Sequence, residues 1–472
     1  MTEHPGPTLT DAKGMGGVNA QDGFDYQVWD AVVRIPAWLR SPVFEGLTVE
    51  GLEDVEARFF APHAPRGHFL DRFQAKSAHL TRGQVIEVFK GFAAFDDAHA
   101  GAARAHVLVT PSLPKELQWL EKDSERVRRA RPFYAPFPDV IAASDQKLER
   151  DIVADFGPDL GTRVARSYDV STRVFPNRVT AEAMFAGVME QTFGVDLSAR
   201  KSGEAFRAIA THLVNNCGTM VARSTLLRLI GEVLGAPLIS QGPLPVHVRS
   251  DRNAPAEDAI EIDASAFSGM EGSAPAAEEW KTSLAAPLER TAKWAHHNGH
   301  TRVRITGSYR ISTAFALGWS FRAATGFELE IPTRGGDWVT DDRLGPQETK
   351  LPWEITAPTE LHNGRLVVSI GVLRDAAQDA RALLGLESGS GVLRAYLDRP
   401  VTSGREAQDS VQALKNAVVA QVARLAPRGI DLFYAGPAAM AIALGHRWNA
   451  MPATQLHEFR PTQGYVPSAV LR

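Results

Sequence analysis

The sequence predicts an α/β protein built from two parts with different organisation. Near the N-terminus, two strand-like segments at residues 52–60 and 71–77 lie between helix-like segments. In the C-terminal half, strands and helices alternate regularly, which indicates a mainly parallel sheet covered by helices. The length of 472 residues fits two domains, or three. We therefore expect an N-terminal α/β core with a helical extension, followed by Rossmann-like units.

Composition restricts the classes of protein to which the chain can belong. Hydrophobic residues make up 44% and charged residues 22%, as is ordinary for a globular protein. The formal net charge of −4 means that any contact with nucleic acid has to be local. The single cysteine, Cys217, excludes an intramolecular disulfide, and we expect its thiol to be buried. No signal peptide and no apolar run of about 18 residues is evident, which predicts a cytoplasmic protein without membrane contact.

The N-terminal elements follow a simple order along the chain. Residues 1–20 are rich in small and polar residues and predict a flexible leader. Beyond it, hydrophobic periodicity predicts a helix, the two strands, a second helix and a third strand, at residues 23–33, 52–60, 71–77, 83–98 and 105–110.

The two strands carry the sharpest chemical signal. Side chains alternate between the faces of a strand, so Asp54 and Glu56 share one face, and so do Gln74 and Lys76. If the strands pair, a carboxylate, an amide oxygen and an ammonium group converge on one point. The two oxygens suit Mg²⁺ or Mn²⁺, and the lysine stabilises charge that develops on a phosphate. The alternative is a solvated ion pair between neighbouring strands.

This arrangement of a helix, an Asp strand, a Gln-Ala-Lys strand and a helix resembles the PD-(D/E)XK nuclease core. The Gln-Ala-Lys form is similar to the branch typified by the restriction endonuclease Mrr, in which Gln replaces the usual Glu. The resemblance implies a restriction-endonuclease-like fold with Asp54, Gln74 and Lys76 as catalytic residues. Asp54 and Gln74 would hold the metal with Glu50 or Glu56 as an additional ligand, and Gln27 on the preceding helix would position water or phosphate.

A mainly helical extension follows this core, with helices predicted at residues 179–193, 203–215 and 222–234. Before them, residues 124–132 concentrate four arginines. We expect Arg126, Arg128 and Arg129 to contact the DNA backbone, although most such runs are a solvated helix face.

A change in composition at residues 236–243 marks the domain boundary, so we assign residues 21–235 to the N-terminal domain and 236–472 to the C-terminal one. Residues 253–279 are predicted to be an irregular connection with a short strand at 259–262. Further strands are predicted at residues 302–306, 327–331, 365–370, 393–398 and 430–434, with helices at 311–323, 374–384, 405–425 and 438–448. The similarity of residues 284–350 and 360–460 suggests an internal duplication.

Ligands of open α/β sheets bind beyond the carboxyl ends of the strands, next to helix starts. Three loops of that kind occur at residues 307–310, 371–375 and 435–437, and no Gly-x-Gly-x-x-Gly or Gly-Lys-Ser/Thr motif accompanies them. Ordinary βα turns are the alternative for each loop. We expect a nucleotide-like ligand to be bound by residues at strand ends and helix starts, namely Ser308, Arg310, Trp338, Ser369, Arg374, Gly436 and Pro437.

The segments Gly-Ser-Tyr-Arg with Ile-Ser-Thr-Ala-Phe-Ala-Leu-Gly, Gly-Asp-Trp at 336–338, and residues 430–445 resemble the SAVED domain. SAVED domains are fused pairs of CARF-like Rossmann units that sense cyclic oligonucleotides. Together with the nuclease-like N-terminus, the chain is similar to the endonuclease effectors of CBASS anti-phage systems. The resemblance implies that a cyclic oligonucleotide drives homo-oligomerisation and switches on cleavage of double-stranded DNA.

Two other functions remain open at this stage. Gln74 in place of Glu leaves room for a non-catalytic cyclic-nucleotide sensor or adaptor with a degenerate nuclease core. A modification-dependent, Mrr-like restriction enzyme is the other alternative, against which the lack of a basic run in the C-terminal half argues.

Overall fold

The computed structural model describes residues 12–51, 53–134, 136–238, 242–250, 259–267, 275–340, 351–387, 391–461 and 463–472, with only the backbone of residues 12–20 and 277. The chain forms two compact units, unit 1 (Met1–Ser240) and unit 2 (Gln241–Arg472). The predicted boundary lies five residues before this division.

Unit 1 combines one six-stranded sheet with eight helices in its described part. Its strands are β1 (Phe44–Val49), β2 (Val55–Phe60), β3 (His68–Ala75), β4 (Ala103–Thr110), β5 (Tyr168–Thr172) and β6 (Val221–Ala222). Its helices are α1 (Ala12–Arg40), α2 (Arg82–Ala98), α3 (Gln118–Tyr134), α4 (Pro138–Phe156), α5 (Pro158–Ser167), α6 (Arg178–Phe193), α7 (Ala199–Asn215) and α8 (Arg223–Leu234).

The strands of unit 1 are arranged in the order β5-β4-β3-β2-β1-β6. β1, β2 and β3 pair antiparallel, whereas β3, β4 and β5 are parallel, so the last three share an edge at their carboxyl ends. Alternation along β4 directs Val109 into the core that includes α1 and Leu108 into the core that includes α2. The sheet is therefore covered by helices on both faces.

Two predictions about unit 1 can be compared directly with this structure. Helix α1 begins at Ala12 and so includes part of the predicted leader, whose residues 1–11 lie outside the described part. The expectation of a buried Cys217 is wrong, because the residue follows the end of α7 in an exposed turn. No helix in the described residues is long and apolar enough to cross a membrane.

Unit 2 contains two further sheets. The first is formed by β7 (Leu244–Arg249), β8 (Ile260–Asp263), β9 (Arg302–Ser308), β10 (Glu328–Thr333) and β11 (Gly336–Val339). The second is formed by β12 (Glu354–Thr356), β13 (Arg365–Val372), β14 (Val392–Leu397), β15 (Gly429–Ala435), β16 (Thr454–Arg460) and β17 (Gly464–Leu471). Helices connect them, at α9 (Ala277–Glu279), α10 (Ala286–His297), α11 (Ile311–Ser320), α12 (Ala377–Leu384), α13 (Gly404–Leu425) and α14 (Ala438–Arg447).

The two sheets of unit 2 repeat one topology. The order β8-β7-β9-β10-β11 corresponds to β14-β13-β15-β16-β17, with four parallel strands and an antiparallel last strand in each case. β12 adds an antiparallel edge to the second sheet. The structure thus confirms the α/β class with Rossmann-like sheets, and the first repeat starts at β7 rather than at residue 284.

Helices α11 and α14 pack against each other, and both carry the sequence Ala-x-Ala-Leu-Gly, at 314–318 and 441–445. A Cβ atom at Gly318 would lie 1.9 Å from the carbonyl oxygen of Ile442, and one at Gly445 would lie 2.2 Å from that of Phe315. Only glycine permits this approach of two backbones, so the repeated motif holds the two halves of unit 2 in contact.

Candidate functional site

The turn between β1 and β2 places Asp54 immediately before β2, one residue outside the strand. Oδ2 of Asp54 accepts a hydrogen bond of 2.7 Å from the backbone N–H of Ala75, the last residue of β3. The antiparallel register of β2 and β3, continued by one residue, places Asp54 opposite Gln74. The two strands therefore bring these residues to one end of the pair, as their spacing predicts.

Gln27 reaches the same point from helix α1. Its side chain acts on Asp54 as a hydrogen-bonding neighbour that lowers the pKa of the carboxyl. Its Oε1 atom is buried and has no hydrogen-bond partner among the described residues. A buried acceptor without a donor is costly. This oxygen is therefore available to coordinate a metal ion beside the carboxylate.

Lys76 follows β3 and forms no ion pair within 4.0 Å among the described residues, so the alternative of a simple Asp54–Lys76 pair does not describe this arrangement. Its ammonium acts on Asp54 at longer range. Burial raises the pKa of Asp54, whereas the Ala75 N–H, Lys76 and Gln27 all oppose that rise. The balance leaves a carboxylate whose negative charge is incompletely compensated.

Two charged residues that the sequence analysis missed lie beside this carboxylate. Arg72, which is 1% exposed, pairs with Glu53 at 3.1 Å and with Glu56 at 3.4 Å, and its guanidinium lies 3.3 Å from the centroid of the Phe95 ring. Burial raises the pKa of Glu53. The charge of Arg72 opposes this rise, whereas the charge of Asp54 adds to it. Because Glu56 is engaged by Arg72, it is a weaker candidate for a metal ligand than its strand position suggests.

Glu50, the other predicted ligand, occupies the turn in a left-handed conformation with φ of 55°. Its backbone N–H donates to the carbonyl oxygen of Asp54 at 2.9 Å, whereas its exposed side chain lies near Cys217 and raises the pKa of that thiol, secondarily to burial. Glu50 thus supports the turn through its backbone, and its role as a metal ligand stays a prediction.

The residues around Asp54 suit a hard cation by the type of atom they offer. Mg²⁺ prefers oxygen ligands. This site offers the carboxylate of Asp54 and the side-chain amide oxygens of Gln27 and Gln74. Within the described residues, no three His, Cys, Asp or Glu side chains cluster in a way that could hold a metal ion. The candidate site therefore depends on one carboxylate supplemented by amide oxygens.

The predicted DNA-binding arginines lie on α3 with exposed side chains. Arg128 pairs with Asp169 at 2.6 Å and Arg129 with Glu125 at 2.5 Å, whereas Arg126 has no ion-pair partner among the described residues. Exposed ion pairs contribute little stability, so Arg128 and Arg129 can exchange a carboxylate for a phosphate at small cost.

In unit 2, Ser308 ends β9 and is exposed, as its prediction requires. Arg310 is engaged internally: its Nη2 donates to the carbonyl oxygen of Phe459 at 3.0 Å, and its Nε lies 3.3 Å from a carboxylate oxygen of Glu458. Glu458 also accepts the N–H of Ser312 at 2.8 Å. A protein carboxylate therefore already occupies the start of α11, where an anionic ligand was expected.

Two predicted pocket residues are buried, which corrects the expectation that a ligand reaches them directly. Trp338 is 8% exposed and packs against the backbone of Gly404 at the start of α13, so its indole is no open stacking surface. Ser369 is 1% exposed in the central strand β13, and within the described part of the chain its Oγ has no hydrogen-bond partner.

The remaining predicted residues lie at the carboxyl ends of the second sheet. Arg374 pairs with Asp379 at 2.8 Å and lies 3.9 Å from the centroid of the Phe459 ring, but it is 49% exposed. Gly436 and Pro437 precede α14, whose start has no side-chain cap among the described residues. These three positions are accessible to a ligand.

A small, open cleft lies beside Arg310 and Glu458. Phe267 and Trp280 pack in its wall with ring centroids 4.4 Å apart and ring planes inclined by 40°. Nε1 of Trp280 is buried there and has no hydrogen-bond partner among the described residues. Residues of both halves of unit 2 complete the lining, namely Pro275, Arg460, Val466, Pro467 and Ser468. The sequence pattern gives no signal for this aromatic wall, because Phe267 lies in the predicted connection 253–279 and Trp280 directly follows it.

Comparison with known proteins first defines the class of the C-terminal part. Residues 287–471 match the family model of the SMODS-associated and fused to various effectors sensor domain, SAVED. This match confirms the SAVED resemblance of unit 2, whose two Rossmann-like sheets are the fold that the resemblance implies.

Particular relatives extend the similarity over nearly the whole chain. CD-NTase-associated protein 4 of Moraxella osloensis is 23% identical over 470 residues, which cover 98% of this chain and 99% of the relative. The structure of the Acinetobacter baumannii Cap4 SAVED/CARF-domain containing receptor with the cyclic trinucleotide 2′3′3′-cAAA superposes with a TM-score of 0.77, at 22% identity, over 95% of this chain and 98% of the other. The Moraxella osloensis receptor of the same name gives 0.74, at 21% identity, over 96% and 100%. Both units thus share the fold of these receptors, whereas the nuclease assignment of unit 1 stays a prediction.

Proposed function

We propose that the chain is a cyclic-oligonucleotide-activated, metal-dependent endonuclease for double-stranded DNA, and a Cap4-like effector of CBASS anti-phage defence. The convergence of Asp54, Gln27, Gln74 and Lys76 at one end of the β2–β3 pair carries the catalytic part. The sensor part is supported by the SAVED match and by the cyclic trinucleotide bound to the Acinetobacter baumannii receptor.

Each residue of the candidate site has a distinct task in this proposal. Asp54 would hold Mg²⁺ or Mn²⁺ with the amide oxygens of Gln74 and Gln27, while the Ala75 N–H fixes the direction of the carboxylate. When bound, the metal would neutralise charge on the scissile phosphate and activate water. Lys76, free of an ion pair in the described structure, would place its ammonium against the phosphate oxygens as charge develops on them.

For the sensor, accessible strand ends are the proposed contacts: Ser308, Arg374, Gly436 and Pro437, with Arg310 available if its pair with Glu458 opens. Arginines and backbone N–H groups suit the phosphates of a cyclic trinucleotide. Because a double-strand break needs two active sites, we propose that ligand binding drives homo-oligomerisation.

The test is cleavage of plasmid DNA by the full chain with Mg²⁺, with and without a panel of cyclic di- and trinucleotides. Lys76→Ala should lower ligand-dependent cleavage at least a hundredfold while leaving the ligand-induced rise in melting temperature unchanged. Lys90→Ala is the matched control, because Lys90 is an exposed lysine of α2 paired only with Glu87. Cleavage by Lys76→Ala at the wild-type rate, or persistence of wild-type cleavage in excess EDTA, would exclude the proposed site.

A further inference from the structure

An aromatic cluster protrudes where α3 meets α4. Phe133 is 81% exposed, Tyr134 46% and Phe137 58%, and we call these three residues the aromatic tip. Large apolar side chains exposed close together along the chain are typical of interaction sites when they form a patch. The aromatic tip has no role in the candidate nuclease site or in the sensor.

Helix α3 leads to the tip along a line of positive charge. Lys122, Arg126, Arg129 and Phe133 are spaced by four, three and four residues, so they lie on one face of the helix, and all are exposed. We call the first three the basic stripe. Residues 126–134 contain four arginines and no acidic residue, in a chain with a net charge of −4.

The charge of the stripe favours a polyanion as the partner. From position 122 to 133 the helix rises by ~16 Å, a length over which duplex DNA presents ~9 phosphate charges. Arg129 is 78% exposed despite its pair with Glu125, and Arg126 has no ion-pair partner among the described residues. Apolar side chains next to such cations can wedge between base steps from the minor groove.

The start of α3 also lies at the edge of the sheet that carries the candidate active site. Glu121, in the first turn of α3, accepts hydrogen bonds from the backbone N–H and the hydroxyl of Thr172, the last residue of β5. β5 is parallel to β3 and separated from it by β4, a distance of ~10 Å between strands. Lys76 directly follows β3, so it lies at the carboxyl ends of these parallel strands, as Thr172 does.

We infer that the basic stripe and the aromatic tip form a sequence-independent docking surface for duplex DNA, in which the stripe contacts phosphates and the tip enters the minor groove. This inference rests on the proposed DNA substrate, and it adds an arm beyond the catalytic residues. Such an arm compensates for the overall negative charge of the chain, which by itself repels DNA.

The test measures binding of the full chain to a labelled 30-base-pair duplex by fluorescence anisotropy in EDTA, from ~50 to ~200 mM salt. Arg126→Gln with Arg129→Gln should reduce the slope of log K against log[salt] by ~1.8, the value for two lost phosphate contacts. The control pair Arg200→Gln and Arg228→Gln removes the same charge from two exposed arginines elsewhere in unit 1, each in an i,i+4 ion pair, and should leave the slope unchanged.

Phe133→Ser with Phe137→Ser should weaken binding ~5- to 10-fold, or ~1.0–1.4 kcal/mol, with an unchanged salt slope because no charge is lost. Val179→Ser, at a residue 70% exposed in the same unit, is the apolar control and should bind as the wild type does. Unchanged affinity of the double Phe variant would overturn the inference. So would a change in its particle size by light scattering without a change in DNA affinity, since the tip would then contact another copy of the chain.

Binding in EDTA is measured without cleavage, so the two proposals fail separately. Wild-type protein that binds DNA through the stripe and tip but never cleaves it would exclude the endonuclease and keep the docking surface. Wild-type protein that cleaves DNA, with tip and stripe variants equal to it in affinity, would exclude the docking surface alone.

Discussion

Replacing Gly445 with alanine tests whether the close crossing of α11 and α14 holds the halves of unit 2 together. A Cβ atom at this position would lie 2.2 Å from the carbonyl oxygen of Phe315 and 3.0 Å from the amide nitrogen of Trp319. An ordinary van der Waals contact begins at 3.4 Å, so the carbonyl oxygen of Phe315 would have to move about 1.2 Å away from the new Cβ atom. Because that oxygen belongs to helix backbone in a close-packed interior, one helix has to move away from the other.

Overpacking of this kind costs ~1–3 kcal/mol, and a clash with backbone offers no side chain that could rotate away. Alanine instead of glycine inside a helix gains back ~1 kcal/mol. Taking the upper end of the cost, we expect unit 2 to lose ~2 kcal/mol of unfolding free energy. For a unit of its size this lowers the melting temperature by ~4–8 °C.

Gly187→Ala is the matched control, because Gly187 lies inside α6 and a Cβ atom there would meet nothing within 4 Å. It should gain ~0.5–1 kcal/mol from helix propensity alone. Differential scanning calorimetry of both variants should show shifts of opposite sign, and the two substitutions fall in different units. A melting temperature of Gly445→Ala equal to or above that of the wild type would refute the argument from the helix crossing.

Further predictions concern the two candidate sites. Asp54→Asn should abolish cleavage yet raise the melting temperature at pH 7. Burial raises the pKa of the Asp54 carboxyl, so ionising it destabilises the fold above its folded-state pKa and has no effect below the ordinary Asp value. The stability gained by Asp54→Asn should therefore disappear in unfolding measurements at low pH. Arg374→Ala should shift the ligand dose curve for cleavage about tenfold to hundredfold with an unchanged plateau, the loss of one charge-assisted contact of ~1.5–3 kcal/mol, and an unshifted curve would remove this arginine from the pocket. Light scattering should show larger particles of the full chain when a cyclic trinucleotide activates cleavage, whereas activation at constant size would contradict assembly.

The features that the sequence predicted well are those set by local periodicity. Six of the eight parallel strands of unit 2 are short apolar runs whose positions follow from the alternation, whereas β7 and β16 were not predicted. The meeting of Asp54 and Gln74 follows from pairing two strands that are close along the chain. The turn between β1 and β2, which leads into Asp54, was less predictable, because the left-handed backbone of Glu50 follows the end of β1 and the Glu50 side chain lies near Cys217.

The features that the sequence could not predict depend on contacts between distant segments. Arg310 was expected to be free for phosphate, but its partner Glu458 lies 148 residues further along the chain, in the other repeat. Trp338 was expected to be open, but Gly404 at the start of α13 packs on it. The strand pattern did not single out Arg72. Its partners Glu53 and Glu56 lie in the turn and strand around Asp54, which were assigned to the metal site.

The two repeats of unit 2 share a topology but offer different chemistry at corresponding helix starts. At α11, Glu458 accepts the N–H of Ser312 and pairs with Arg310, so an approaching anion meets a carboxylate. At α14, which follows Gly436 and Pro437, no side chain of the described residues caps the helix, and an anion meets backbone N–H groups. We therefore expect a ligand with several phosphates, bound at these two helix starts, to contact the repeats unequally. Its phosphates would gain most at the second repeat, and contact with the first would require the Arg310–Glu458 pair to open, which would couple ligand binding to a rearrangement between the repeats.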